Sequence, residues 1–468
     1  MLLRTTSSYA AELRPLLRPQ VFSPAPLRLL WLPVHVTVIV LGTLAIVRGW
    51  LPLPLQIVVS LLIGASFAGL TFVAHEALHG GLVRSRPLRR LIGRLGFLPF
   101  AVSPRLWEAW HNRVHHGNTN RAGVDPDAYP SLAEYRGSRT LRRVTDWLAP
   151  GRGRLAGVFS LLVGFSVQST HMLLVARRRQ FLNAAEHRRA LFESGVVWLL
   201  WGALAVALGP IAFVLAFGLP LLVANAIVMS FILTNHSLSP HTATNDPLVN
   251  SLSVVGPRFF QWLTLGFGYH VEHHLFPAMS GRYARELSDE LSRRFPERYQ
   301  QLPYFQALSL LHRSPRVYRT DTLLFDPVNG RTWPALTPST GPTATLASLP
   351  LAPSRDALEP PAPTTLQEAT AASNLCSRGT ALMLSLTASI GCSAPPMRTP
   401  PADEPHAPSP DARFVPPGDA RPADAADVLD AHHSPPATTS STQVPVVSQP
   451  GRNPPFDEGG APATTRAR

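Results

Sequence analysis

The chain has 468 residues and a formal net charge of +13, with arginine as its only basic residue apart from histidine. The arginine excess lies in the apolar part, where residues 1–335 hold 34 Arg against 17 acids, so it suits anionic lipid headgroups and not nucleic acid, for which no base-reading motif is present. Both cysteines, Cys376 and Cys392, fall beyond residue 335, which excludes a disulfide scaffold, an iron–sulfur cluster or a thiolate-bound metal in the body.

Residues 1–26 read as a cytoplasmic N-terminal segment bearing Arg4, Arg14 and Arg18. An apolar run follows at 27–47, long enough to cross a bilayer, for which roughly 20 residues suffice. A connection with Pro52 and Pro54 leads into a second run at about 55–74. Two more occupy about 194–209 and 212–234, divided by Gly209-Pro210, so each pair reads as a hairpin with a tight turn. Arginines precede the first span, follow the second (Arg84, Arg86, Arg89, Arg90, Arg94) and precede the third (Arg177–Arg179, Arg188, Arg189). By the positive-inside rule, both termini and the long middle segment are cytoplasmic.

A fifth apolar stretch, 155–175, has arginines at both ends, which no single crossing explains; it reads as a helix in the interface. The expected fold class is therefore an all-α membrane protein. It has four transmembrane helices in two hairpins, interfacial helices and a cytoplasmic histidine-bearing cap. The membrane domain spans 27–335. Residues 336–468, rich in Pro, Ala, Ser and Thr, cannot bury enough apolar surface to offset ordering entropy and are expected to be disordered.

Twelve of the 17 histidines fall between residues 75 and 274, and eight form three clusters. These are His75-x3-His79 at the end of the second span, His111-x3-His115-His116, and His270-x2-His273-His274. Helical residues four apart share a face, so each such pair can reach one metal. Crowded imidazoles repel when protonated and lose hydration when neutral, and a shared cation removes both penalties. His236, ending the fourth span, is the ninth candidate, whereas His35, His171 and His187 read as ordinary polar residues. Asn235 could add an oxygen, and Glu76 and Glu272 could orient ring nitrogens from behind. Nine imidazoles exceed what one ion can use, so two ions are expected; no catalytic residue beyond the metal centre is required.

The strings "HNRVHHGNTN" and "GYHVEHHLFPAMS", with the three clusters, resemble the histidine boxes of the integral membrane fatty acid desaturases and hydroxylases. The resemblance implies His75, His79, His111, His115, His116, His236, His270, His273 and His274 as ligands of two iron ions, with O2 as co-substrate. It implies desaturation of a fatty acyl lipid or thioester, with a hydroxylase or ketolase of carotenoid, sterol or sphingoid lipid as the alternative. A metal transporter or sensor, the reading from a different class, would want ligands near the bilayer midplane. Glu76 stands where many members have Asp, and no His-Pro-Gly-Gly haem-binding string occurs, so electrons are expected from a separate ferredoxin or cytochrome. The expected location is a bacterial inner membrane. Phe67, Phe72, Phe231 and Trp262 are candidates for an acyl tunnel, and Trp107 and Trp110 for anchors at the interface.

Overall fold

The computed structural model describes residues 2–338. The expectation of disorder for 336–468 lies outside them, apart from the first three residues. Among the described residues, five helices are long and apolar enough to cross a membrane: Pro26–Val47, Leu53–His79, Leu155–Val175, Ala184–Leu208 and Pro210–His236. The elements that position the site are α1 (Thr6–Leu13), α2 (Trp31–Val47), α3 (Leu53–His79), α4 (Pro104–Trp107), α5 (Arg154–Val175), α6 (Ala184–Leu208), α7 (Leu219–His236), α8 (His270–Leu275) and α9 (Ala284–Arg294).

Helix α3 starts at Leu53-Pro54, where proline's missing N–H is harmless, and stops at Gly80 in the left-handed conformation (φ 94°). It packs against both α2 and α7. A Cβ at Gly64 would stand 2.6 Å from the Val223 Cβ and 2.8 Å from the Pro220 carbonyl, so the missing side chain lets α3 and α7 approach closely. That approach brings the end of α3, with His75 and His79, beside the end of α7, with His236. The first expected hairpin packs along its length. The arms of the second meet chiefly near the turn, where Trp201 stacks on Phe217 at 4.1 Å, because α7 is flanked instead by α3 and α5.

Helix α5 is the fifth apolar stretch. Before it, Arg152 joins Asp146 (2.5 Å) and Asp326 (2.8 Å); after it, the Phe181 carbonyl accepts from Arg113 at 3.0 Å, on the element that carries His111. A straight helix of 22 residues is about 33 Å long and would carry its end to the opposite face. Both flanks instead meet residues of the histidine side, and α5 packs on α7, with the Ser166 N–H on Asn225 Oδ1 at 3.0 Å. In a Cys376→Ser, Cys392→Ser background, single cysteines at Gly153 and Arg179 are expected to react with an impermeant thiol reagent from the same side of the membrane. Labelling from opposite sides would make α5 a crossing.

Beyond α7, two small sheets organise the histidine side. Strand β1 (Ser253–Val255) pairs in parallel with β2 (Gln301–Pro303), and β3 (Val317–Thr320), β4 (Leu323–Phe325) and β5 (Thr332–Pro334) form an antiparallel sheet. The N-terminal segment is part of this body. Tyr9, Leu13, Leu17 and Val21 form a second hydrophobic core with Val271 and Leu275 of α8 and with Leu287 and Leu291 of α9. Arg298 ties it down, donating to the Tyr9 hydroxyl (2.9 Å) and to Asp246 (2.6 Å).

Candidate metal centre

Residues Glu108–His115 form a π-helix that continues α4, with the His116 N–H bonded to the His111 carbonyl at 3.0 Å. The wider turn changes which faces the histidines share. Two residues four apart on an α-helix would reach one ion together, the expectation for His111 and His115. In the two four-histidine groups they part, although their ligand atoms also lie within 4.8 Å of each other and of Asp127. The ligand atoms of His75, His79, His111 and His273 lie within 4.8 Å of one another, and so do those of His115, His236, His270 and His274. His116 joins the first group, its Nε2 standing 3.2 Å from that of His111 and 3.1 Å from that of His273. Short helix α8 likewise sends His273 to one group and His270 and His274 to the other. The structure thus brings together all nine expected histidines. His35 packs over Gly69 and His241 stacks on Tyr318 at 3.7 Å, both apart from the cluster.

The nitrogen spacings fit a metal. Nε2 atoms of His75 and His111 are 3.2 Å apart, those of His236 and His270 2.7 Å, and those of His270 and His274 3.2 Å. At a metal–nitrogen distance of about 2.1 Å, ligands at right angles stand about 3.0 Å apart. The Nε2 atoms of His79 and His115 are buried with no hydrogen-bond partner. Such lone pairs facing each other away from water are unfavourable until a cation is shared among them. The histidine rings are also ready to bind: burial, aided by neighbouring imidazoles, holds His111, His116, His270 and His274 well below the usual range and lowers His273 to about 3. His115 is different. Burial would lower it, but Asp125 and Asp127 together outweigh that and raise it to about 9, so an ion must displace a proton there.

The groups behind the rings are not the expected ones. Glu76 accepts from Ser280 Oγ (2.5 Å) and the Gly281 N–H (3.0 Å) and pairs with Arg28 at 3.2 Å, pinning the end of α3 to the loop after α8. Glu272 accepts from Ser253 Oγ (2.6 Å) and the Tyr299 hydroxyl, and Ser253 Oγ in turn accepts the His270 and Val271 N–H groups at 3.1 Å. Both acids hold partners other than imidazoles, hydroxyls at Glu272 and a hydroxyl, a backbone N–H and a guanidinium at Glu76. The side chain of Asn235 is buried without a hydrogen-bond partner.

Ring orientation falls to residues outside the three clusters. His115 Nδ1 donates to Asp125 at 3.0 Å and His274 Nδ1 to Thr119 Oγ1 at 3.1 Å. Asp127 accepts from Trp110 Nε1 (2.8 Å) and Gln168 Nε2 (2.7 Å). The signal available in sequence was Asp125-Pro126-Asp127, two acids within a dozen residues of His115 in an acid-poor chain.

Trp107 and Trp110 are buried, not interfacial; Trp107 stacks on His111 at 4.5 Å. Trp262, a tunnel candidate, is 59% exposed against Trp31. Phe67 packs on Phe217, whereas Phe72 and Phe231 meet edge to face beside the centre. One cavity, lined by Phe72, Phe97, Phe165, Val228 and Ile232, ends on His75, His111 and His236. Another, lined by Leu265, Tyr269, Met279 and Glu76, ends on His75 and His273; Phe72 and Phe267 border both.

The family described as fatty acid desaturase matches residues 48–307 of this chain. A curated relative, the chloroplastic omega-6 fatty acid desaturase of Spinacia oleracea, is 22% identical over 279 residues. That alignment covers 56% of this chain and 59% of the relative, so the chain spans about three fifths of the relative's length.

Proposed function

Since the chain belongs to the fatty acid desaturase family, we propose that it is a membrane di-iron enzyme that introduces a C=C bond into a fatty acyl chain. The observation that carries this reading is two groups of imidazoles, from both of which rings line one largely apolar cavity. The nine histidines hold two iron ions, His75, His79, His111, His116 and His273 around one and His115, His236, His270 and His274 around the other. When bound, the irons supply the oxidising power, with O2 and two electrons from a separate ferredoxin- or cytochrome-type donor. In balance, –CH2–CH2– with O2, two electrons and two protons gives –CH=CH– and two waters.

The chain's own residues bind, orient and exclude water. Phe72, Phe97, Phe165 and Ile232 offer an apolar bed for an acyl chain beside His75 and His236. Trp107, stacked on His111 and buried, seals that wall. Asp125 and Thr119 fix the rings of His115 and His274, so that their Nε2 atoms stay aimed inward. The arginine pattern supports a cytoplasmic centre and N-terminus. The gathering of ligands at helix ends, not mid-membrane, speaks against transport.

Expression in a host of defined lipid composition, followed by mass spectrometry of lipids and pigments, tests the reading. A fatty acyl product two hydrogens lighter supports it; a product carrying a new oxygen supports the hydroxylase or ketolase alternative. Phe267 sits 4.9 Å from the His75 ring and borders both cavities. Phe267→Ala is expected to lower kcat/KM roughly tenfold or more and to broaden the double-bond positions formed. An unchanged product profile would remove Phe267 from the substrate path.

A further inference from the structure

The two histidine groups differ in what stands behind them. Among the described residues, the carboxylates that come within 4.0 Å of a cluster ring nitrogen are Asp125 and Asp127, and both do so at His115. In the same group, Thr119 holds His274, and Asn120 Nδ2 donates to the His236 carbonyl (2.8 Å) and the Asn250 carbonyl (3.0 Å). Asn120 adopts φ 53°, a left-handed conformation tolerated by Asn, and its N–H donates to Asp125 at 2.7 Å. Asn250 Nδ2 completes the net on the Thr119 carbonyl at 3.0 Å. One buried polar network therefore ties together two rings of this group, those of His115 and His274, and the backbone of a third, His236. The ring nitrogens of His75, His79, His111, His116 and His273 have, among the described residues, no hydrogen-bond partner other than another cluster imidazole.

Burial points the same way. All four rings of the second group are buried, whereas His116 and His273 of the first are half-buried.

We infer that the two metal positions are unequal: His115, His236, His270 and His274, backed by Asp125, form a tight site that fills first, and the His75, His79, His111, His116 and His273 site exchanges its ion. The inference rests on the metal-binding reading above. Two divalent ions among neutral imidazoles bring four positive charges into a buried space, and negative carboxylate charge beside one position offsets them there. A carboxylate behind a ligating histidine also raises the ring's basicity and fixes its direction, and its loss typically lowers metal affinity about 10–100-fold.

The full chain, purified in detergent and stripped of metal, is titrated with cobalt(II), following its visible absorption and the metal retained after dialysis. Two steps are expected, separated by about 10–100-fold in affinity. His79→Ala should keep the tight step and lose the weak one, His236→Ala should keep only a weak step, and Asp125→Asn should weaken the tight step alone. Biphasic release of cobalt to a chelator from the unaltered chain gives the same answer without any substitution. A single step with two equal sites, or a tight step that survives His236→Ala, overturns the inequality while leaving the metal centre standing. No cobalt bound at all overturns both.

Discussion

Replacing His273 by Ala is expected to bring product formation below about one thousandth of the wild-type level, a barrier increase of about 4 kcal/mol. The ring is where three segments meet. Its Nε2 stands 3.1 Å from that of His116, and its centroid is 4.6 Å from both His75 and His79. Losing it opens the site that lacks a supporting network, so metal analysis should fall from two ions per chain to one. The same variant should still reach the membrane and unfold cooperatively, because His273 is half-buried at the edge of the body and bonds only to imidazole. Wild-type product levels, or full metal content, would remove His273 from the centre.

Replacing Tyr9 by Ala is the second large effect, and it is one of stability. Tyr9 is fully buried, meets Phe295 edge to face at 5.2 Å and takes a hydrogen bond from Arg298. Truncating a buried aromatic costs about 3–5 kcal/mol through lost burial and the cavity left behind. Tyr9→Phe keeps the ring and should cost only about 1 kcal/mol, for the lost hydrogen bond. Thermal unfolding in detergent separates the two. Since the same core holds Val271 and Leu275 of α8, Tyr9→Ala should also loosen the third histidine cluster and lower its metal content. A loss no larger than that of Tyr9→Phe would mean that the N-terminal segment does not brace α8.

That bracing shows where sequence reading stops. The long apolar helices were legible because hydrocarbon thickness sets helix length, and the gathering of nine histidines because their close spacings recur at helix ends. The division of the rings into two four-histidine groups was not legible, because a spacing of four means one face only on an α-helix. Between Glu108 and His115 the backbone is π-helical, and His111 and His115 enter different four-histidine groups. Asp125, Asn120 and Thr119 carry no spacing signature; they matter through contacts with His115, His236 and His274 that only the folded chain creates. The N-terminal segment did leave a trace: Tyr9, Leu13, Leu17 and Val21 recur every four residues, a stripe that marks a buried face. Its partner lay some 260 residues away and could not be read. Glu76 and Glu272 sit inside the histidine clusters, which suggested ring orientation; their carboxylates turn outward to Ser280 and Ser253.

The most direct test of the central claim is the transition-metal content of the purified chain, read with nitrogen coordination by X-ray absorption at the iron edge. Two irons per chain, each surrounded mainly by imidazole nitrogen, is the expected result. A fully folded protein that holds no transition metal, or an iron bound mainly by oxygen, would contradict it.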